Sequence, residues 1–538
     1  MTRSTFRQQI LHFGRDEDGS IIVFSLILFL LMVMMGGMAV DIMRYEDTRV
    51  TLQQTLDRST LAAAAMTQTL DPQDVVADYM DKADLGDQLD TVTVTESATY
   101  RSVLAKGKVD LNPFFMHIMG IHELPARAVS QAEQGTDNLE ITLVLDVSGS
   151  MTGQKIADLR GSAAEFATTM LQNDPFGRVS IAIVPYNAQV NLGADLREKF
   201  QATHVHGVAN IDCLELPDAA YDTPAIPRDL DLPMMAYADL YTGTNYVDAA
   251  VSPTDDSFAD PYYGYSYCRP NQENIVRLPS RDLPTIVNRI NALTAGGNTS
   301  ITLGMKWGLT MLDPSMNGAY QEFIDDGLMD AGLSDRPYAY DDPKVQKVII
   351  LMTDGEHVPH DRITDAFKTG PSPIYLSPNG FYSVFKSTLP GPNNYYVPHL
   401  DTFQATPFNG GGPAVQQNWE DIWATLKVSY VAWQFNARAM SNTWGGQVTA
   451  FYDWYDAMTA EWKSRAQMDA MLQTTCSQAR DNSVLVYGIA FQAPNAGQQQ
   501  ILNCATNPGY YFDAANGDLL RGAFRQIATN LTQLRLTQ

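Results

Sequence analysis

The chain has 538 residues, with 36 Lys or Arg against 61 Asp or Glu and a formal net charge of −25, so it is too long for one hydrophobic core and too acidic for a phosphate-binding surface. Hydrophobic residues make up 45% and charged ones 18%, with 25 Tyr and 21 Phe, which excludes global disorder; no Lys/Arg cluster points to nucleic acid. Its 4 cysteines, Cys213, Cys268, Cys476 and Cys504, form no CxxC pair, which argues against a zinc ribbon and is too few for a disulfide scaffold.

Residues 1–20 form a short polar tail. Ile21 to Val40 (IIVFSLILFLLMVMMGGMAV) then run without a charge, and at about 1.5 Å per residue this stretch matches one bilayer core of roughly 30 Å. A cleaved signal peptide has a shorter apolar stretch followed by a small-residue cleavage site. Here the run passes directly into AVDIMRYEDTRVTLQQTLDRSTLAAAA, which continues in helical style, so 21–40 is expected to be an uncleaved transmembrane anchor. Arg3, Arg7 and Arg15 precede it and Arg44, Arg49 and Arg58 follow it, so charge alone does not orient it. All four cysteines lie beyond the anchor, which favours a cytoplasmic N-terminus and an exported body in an oxidising space.

Asp41 to Leu70 lacks Pro and Gly, so the anchor helix is expected to continue as one rod of about 50 residues. Asp71-Pro72 supplies an N-cap and a first-turn proline for a second helix. Thr91–Glu96 alternates, Tyr100–Val109 reads as its partner strand, and Leu124–Ala132 as a third. Residues 41–135 thus follow a pilin-like plan of long helix and small sheet.

From 136 to 538 the pattern changes. Leu139–Leu145 (LEITLVL) and Lys347–Met352 (KVIILM) are buried-type strands, as are Val179–Val184, Val484–Ala490 and Gly509–Asp513. Helices are expected at 154–171, 282–293, 466–481 and 518–536. Apolar strands without polar alternation, separated by helices, predict an α/β fold with a doubly wound, mostly parallel sheet. Two stretches break the alternation, at about 187–277 and 356–455, and read as irregular insertions. The first carries Cys213 and Cys268, candidates to close it. Cys476 and Cys504 flank a strand and could bridge the sheet edge, and the pairing stays open. Six of the 7 tryptophans lie between Trp419 and Trp462, which predicts buried aromatic surface in the second insertion.

In such sheets ligands sit beyond the carboxyl ends of the strands. There Asp146, Ser148 and Ser150 alternate along one loop (DVSGS), Thr299 follows the turn Gly296-Gly-Asn-Thr-Ser300, and Asp354 ends the KVIILM strand before Gly355. Two carboxylates and three hydroxyls make a hard-cation site. The shortage of charge favours Mg²⁺ over a calcium cage, with Ca²⁺ and Mn²⁺ as the other ions such a set accepts. An open coordination position would accept a carboxylate from a partner protein.

DVSGS, GGNTS and MTDG together resemble the von Willebrand factor A domain and its metal-ion-dependent adhesion site, DxSxS…T…D. The resemblance implies that Ser148, Ser150 and Thr299 contact the metal directly, with Asp146 and Asp354 doing so directly or through water. The 153 residues separating Asp146 from Thr299 exceed those of a simple A domain by the first insertion. At the N-terminus, Asp16-Glu-Asp-Gly-Ser-Ile-Ile-Val-Phe24, Ala39-Val-Asp41 and Leu52-Gln-Gln-Thr-Leu-Asp57 with Leu61-Ala-Ala-Ala64 resemble the TadE/TadG-like region. With the A domain and the ending Tyr510-Tyr-Phe-Asp513…Ala523-Phe-Arg-Gln-Ile-Ala528, the chain is similar to the TadG-like proteins of the tight-adherence (Flp) pilus system of bacteria. That resemblance implies an inner-membrane assembly component whose large domain is periplasmic and whose partners are pilus or envelope proteins. Prepilins of the system carry Glu five residues after the processing glycine. Here Phe24 stands at that distance from Gly19, so processing into a pilus subunit is not expected.

An enzyme is the weaker reading: Ser148 and Ser150 lack a G-x-S-x-G elbow and a nearby histidine, and no P-loop is present, which also excludes a nucleotide partner. Glu356, His357 and His360 follow Asp354, but HxxH in a Pro-flanked loop is a poor chelator and predicts solvated histidines. The alternative of another binding class is a surface adhesin using the same metal site, with Tyr262-Tyr-Gly-Tyr-Ser-Tyr267 as a recognition or structural loop.

Overall fold

The computed structural model describes residues 20–65, 70–97, 100–135, 138–172, 174, 177–238, 267–342, 344–387, 392–532 and 535–537. Two compact units divide the chain: residues 1–136 with 533–538, and residues 137–532.

The first unit opens with α1 (Ser20–Ala64), a 45-residue helix about 68 Å long. Among the described residues it is the one helix long and apolar enough to cross a membrane. Its first part is exposed on all sides, whereas Leu52, Leu56, Ala63 and Ala64 are buried. They pack with α2 (Pro72–Lys82) through Val75, Val76 and Met80, and with the sheet through Val103, Ala105, Ala128 and Ala132. Arg101 donates to the Ala65 carbonyl at 2.8 Å, satisfying an orphan acceptor at the end of α1. Asp71 caps α2, its side chain accepting from the Gln73 amide, with Pro72 in the first turn. The sheet is an antiparallel meander of β1 (Leu89–Ser97), β2 (Tyr100–Leu111) and β3 (Leu124–Gly135). The final strand, Arg535–Thr537, pairs antiparallel with β3. Helical periodicity had extended the last helix to 536; it stops at Thr532, and the chain ends as a strand instead.

The second unit is built on a six-stranded sheet. β4 (Asn138–Asp146), β5 (Val179–Tyr186), β6 (Arg277–Ser280), β7 (Val345–Thr353), β8 (Leu485–Phe491) and β9 (Tyr511–Ala514) lie in the order β9-β8-β7-β4-β5-β6. All neighbours are parallel except β6, which pairs antiparallel with β5 at the edge. β6 was not expected from sequence because its four residues, RLPS, carry no strand periodicity. Helices that cover it include α3 (Gln154–Gln172), α4 (Leu283–Ala292), α5 (Ile301–Thr310), α6 (Arg465–Asp481), α7 (Asn495–Cys504) and α8 (Gly517–Thr532). One face of the sheet packs with α3, α4 and α8, through Phe166, Ile290 and Phe524 among others. The other face packs with α5, α6 and α7, through Trp307, Leu472 and Ile501. This is the doubly wound, von Willebrand factor A-like sheet that the uninterrupted apolar strands require, since both faces are buried. Within it Glu140 and Lys347, cross-strand partners on β4 and β7, form a buried ion pair at 2.5 Å.

The second insertion is not irregular, and the two insertions are not separate. The second contains a five-stranded antiparallel sheet made from segments Pro371–Leu376, Tyr382–Phe385, Tyr395–Val397, Thr402–Gln404 and Val415–Asn418. These strands are short and punctuated by Pro, Gly and Asn, which hides their alternation. Its core of Trp419, Trp423, Trp433 and Phe435 also takes in Ile211, Met235 and Ala236 of the first insertion. Glu215 of the first insertion, itself buried, accepts from Arg362 at 3.0 Å and Lys368 at 2.6 Å of the second. Cys213 and Cys268 are disulfide-bonded within this shared core, with Cα atoms 6.0 Å apart. Cys476 on α6 and Cys504 on α7 form a second disulfide, Cα to Cα 5.1 Å.

Candidate functional site

Three loops meet at the carboxyl edge of the central strands: the first leaves β4, the second joins α4 to α5, and the third leaves β7. β4 ends at Asp146, whose carboxylate is fully buried: Oδ1 accepts from the Ser148 amide at 2.8 Å and Oδ2 from the Thr353 hydroxyl at 2.8 Å. That places the end of β7 against the end of β4. The Ser148 and Ser150 hydroxyls are 3.0 Å apart, and Ser150 donates to Asp354 Oδ1 at 2.6 Å.

The second loop carries Thr299 into the amino end of α5. The Gly149 amide donates to the Gly297 carbonyl and the Gly296 amide to the Val147 carbonyl, both at 2.8 Å. A side chain at Gly149 would put its Cβ a tight 3.2 Å from that Gly297 oxygen, and Gly297 itself has φ +91°, a backbone conformation that favours glycine. The second and third loops are joined by the Val358 amide donating to the Thr299 carbonyl at 2.9 Å. The Thr299 hydroxyl oxygen lies 3.4 Å from the position a Cβ on Gly355 would take. Each loop is therefore tied to the other two: Asp146, Ser148, Ser150 and Asp354 are linked by hydrogen bonds, and Thr299 lies on the adjoining turn. Asp146, Ser148, Thr299 and Asp354 are buried while Ser150 is exposed, which opens the cluster to solvent on one side.

Burial, and secondly the charge of Asp354, push the Asp146 carboxyl up to about 6. Lys155 was not anticipated from sequence. It sits in the first turn of α3, and its Nζ is 2.8 Å from Asp354 Oδ2. The signal available was a cation five residues past Ser150 at a helix start, where the dipole disfavours positive charge. Two close carboxylates served by one lysine leave a negative excess, and three hydroxyl oxygens complete an all-oxygen set. That donor chemistry fits a divalent cation. Among the described residues no group of three or more His, Cys, Asp or Glu is placed to hold a metal, and this cluster has two carboxylates only.

The histidines correct an expectation. His357 and His360 are buried, not solvated. His357 Nε2 accepts from the Thr302 amide at 3.0 Å while Nδ1 meets Asp469 Oδ1 at 2.7 Å. His360 Nε2 lies 2.9 Å from Gln189 Nε2, with its ring between Tyr267 and Trp462, centroids 5.3 Å from each. Glu356 pairs with Arg465 at 2.8 Å. The insertions flank the Thr299 loop: Asn298 donates to the Pro359 carbonyl at 3.3 Å and Arg269 to that of Ala295 at 3.1 Å. Of the tyrosine-rich stretch, residues 262–266 lie outside the described residues, and Tyr267 is partly buried in the shared core.

Residues 19–66 match the family described as "Putative Flp pilus-assembly TadE/G-like". No curated protein matches the chain. Among solved structures, the chain is similar to the vWF domain of the type V pili tip protein Mfa5 from Porphyromonas gingivalis, at 13% identity over 74% of this chain and 96% of that one, TM-score 0.31. It is similar to the pilus adhesin RrgA from Streptococcus pneumoniae, at 12% identity over 82% of this chain and 49% of that one, TM-score 0.30. Proximal thread matrix protein 1 from the mussel byssus, in a structure with a zinc-occupied MIDAS motif, is similar at 10% identity over 75% and 48%, TM-score 0.27.

Proposed function

We propose that the chain is a membrane-anchored, non-enzymatic component of tight-adherence (Flp) pilus assembly whose A-type domain binds a pilus or envelope protein through a divalent cation. One observation supports the reading above the rest: Asp146, Ser148, Ser150 and Asp354 are joined by hydrogen bonds beside a solvent opening at Ser150, and the Thr299 loop is tied to both of their loops through the backbone. The family match over residues 19–66 supports the link to pilus assembly. In this proposal Ser148, Ser150 and Thr299 hold Mg²⁺ directly, and the two aspartates hold it directly or through water, with Ca²⁺ and Mn²⁺ as substitutes. When bound, the ion offers a coordination position to a partner carboxylate. The chain's own part is to fix the donors and to exclude a general base: His357 and His360 are committed to Asp469, Thr302 and Gln189, so neither serves Ser148 or Ser150.

In this reading α1 anchors the protein in the inner membrane with its N-terminus cytoplasmic and its large domain periplasmic, where the two disulfides are compatible with the compartment. In-cell crosslinking of wild type and Asp146→Ala, with identification of the captured protein, tests it. A pilus or envelope partner captured by wild type and lost in the variant supports the reading; the same capture by both rejects the metal-dependent part. Fractionation separates it from a surface adhesin, which would be cut by externally added protease.

A further inference from the structure

A short turn in the first unit stands out because its apolar side chains face outward together. Between β2 and β3 the chain forms a 3-10 turn, Met116–Met119, with Phe114 61%, Ile118 61%, Met119 50% and Ile121 37% exposed. The other large apolar residues exposed in this unit beyond Met43, such as Val50, Leu70, Tyr79 and Val129, lie far from one another in sequence.

The turn is fastened to one place on α1. Asp41 Oδ1 accepts from the Phe114 amide at 2.8 Å, and Oδ2 accepts from Phe115 at 2.8 Å and Met116 at 2.9 Å. One helical turn earlier, Gly37 is buried, and any side chain there would overlap the Phe115 ring. The Arg44 guanidinium lies 3.9 Å over the Phe114 ring. Gly37 belongs to the charge-free run that ends at Val40, about 4.5 Å further along the helix axis. Phe115 is therefore held at the depth of the hydrocarbon edge whenever that run spans a bilayer.

Non-helical backbone is costly at that depth unless its amides are satisfied. Here the amides of Phe114, Phe115 and Met116 go to Asp41, and those of Ile118, Gly120 and Ile121 go to carbonyls of Phe115, His117 and Met116. We infer that Phe114–Ile121 is a second membrane contact: an apolar wedge seated in the phospholipid interface beside the exit of α1, setting how deep the helix sits. Continuity with the exposed apolar surface of α1 selects lipid as the occupant. The inference rests on the anchor part of the proposed function.

The test uses the full chain in phosphatidylethanolamine–phosphatidylglycerol vesicles. An environment-sensitive fluorophore is attached at Ile118→Cys, with Leu28→Cys in the anchor and Val129→Cys on the sheet as references. The expected result is quenching of the Ile118 label by headgroup-proximal spin-labelled lipid, with iodide quenching at least about fivefold weaker than at Val129. Iodide access at Ile118 equal to that at Val129, with Leu28 still quenched by lipid, overturns the wedge and leaves the anchor standing. Shielding of Ile118 from both iodide and lipid also overturns it, because protein then covers the turn. A Leu28 label that spin-labelled lipid does not reach removes the anchor and the wedge together.

Discussion

Lys155 and Asp354, 199 residues apart in sequence, form an ion pair of 2.8 Å, with the carboxylate buried and the lysine about a quarter exposed. The lysine holds part of the charge that a divalent ion would neutralise, so in the proposed site the two cations would compete for Asp354. Lys155→Met should therefore tighten Mg²⁺ binding by about tenfold, or ~1.4 kcal/mol, while lowering the thermal midpoint of the metal-free protein. Calorimetric titration and melting in EDTA measure the two effects, and weaker Mg²⁺ binding in the variant would contradict the competition.

Ligand binding to the folded state alone stabilises it by about 2.7 kcal/mol at a hundred times Kd. Wild type should thus melt higher in Mg²⁺ than in EDTA, and Asp354→Ala should show no such difference. Ser150→Ala, which loses one donor and a 2.6 Å bond to Asp354, should retain a reduced response. Scanning calorimetry of the full chain in detergent decides this. An unchanged Mg²⁺ response in Asp354→Ala would sink the proposed metal site.

Among the described residues Glu215 is the one carboxylate paired with both Arg362 and Lys368, and these pairs join the first insertion to the second. Breaking a buried ion group by removing one partner costs about 3–5 kcal/mol. Asp365, 2.7 Å from Lys368, offsets part of that, so Glu215→Gln should cost about 3 kcal/mol in urea unfolding. Limited proteolysis should find both insertions opening together in this variant. Cleavage confined to one of them would argue against a common core.

Burial, with a smaller contribution from Arg362, pushes the His360 imidazole down to about 3. Its folded value lies below its unfolded value near 6.5, so the unfolded chain binds the extra proton and stability falls as pH drops from 6.5 towards 3. This group alone predicts a loss of about 2 kcal/mol at pH 5 relative to pH 7.5. His357, also lowered by burial, adds in the same direction. His360→Gln should flatten the dependence, as read from urea midpoints between pH 5 and 7.5.

The sheet was readable because the carboxyl halves of LEITLVL and KVIILM are apolar at successive positions, as strands buried on both faces require. The loop cluster was readable because DVSGS and MTDG each end a buried strand and GGNTS opens a helix. Lys155 was not, since a lysine at a helix start has no motif and its role depends on a carboxylate 199 residues away. The histidines were misjudged for a similar reason: local proline and polarity predicted solvent, but Trp462, Tyr267 and Gln189 arrive from other segments. The common core of the insertions escaped notice because its two halves are separated by α4, α5 and β7, and composition carries no record of which stretches fold against each other.

Since Arg535–Thr537 pairs with β3, the larger unit is spliced into the smaller one and joined to it by two peptide links. The links are unequal under proteolysis. A cut after residue 532 leaves the larger unit covalently joined to α1, whereas a cut near 136 leaves its covalent path ending in the strand Arg535–Thr537, which pairs with β3 over three residues. Release of the large unit from α1 is thus governed by one of the two junctions, the earlier one in the chain.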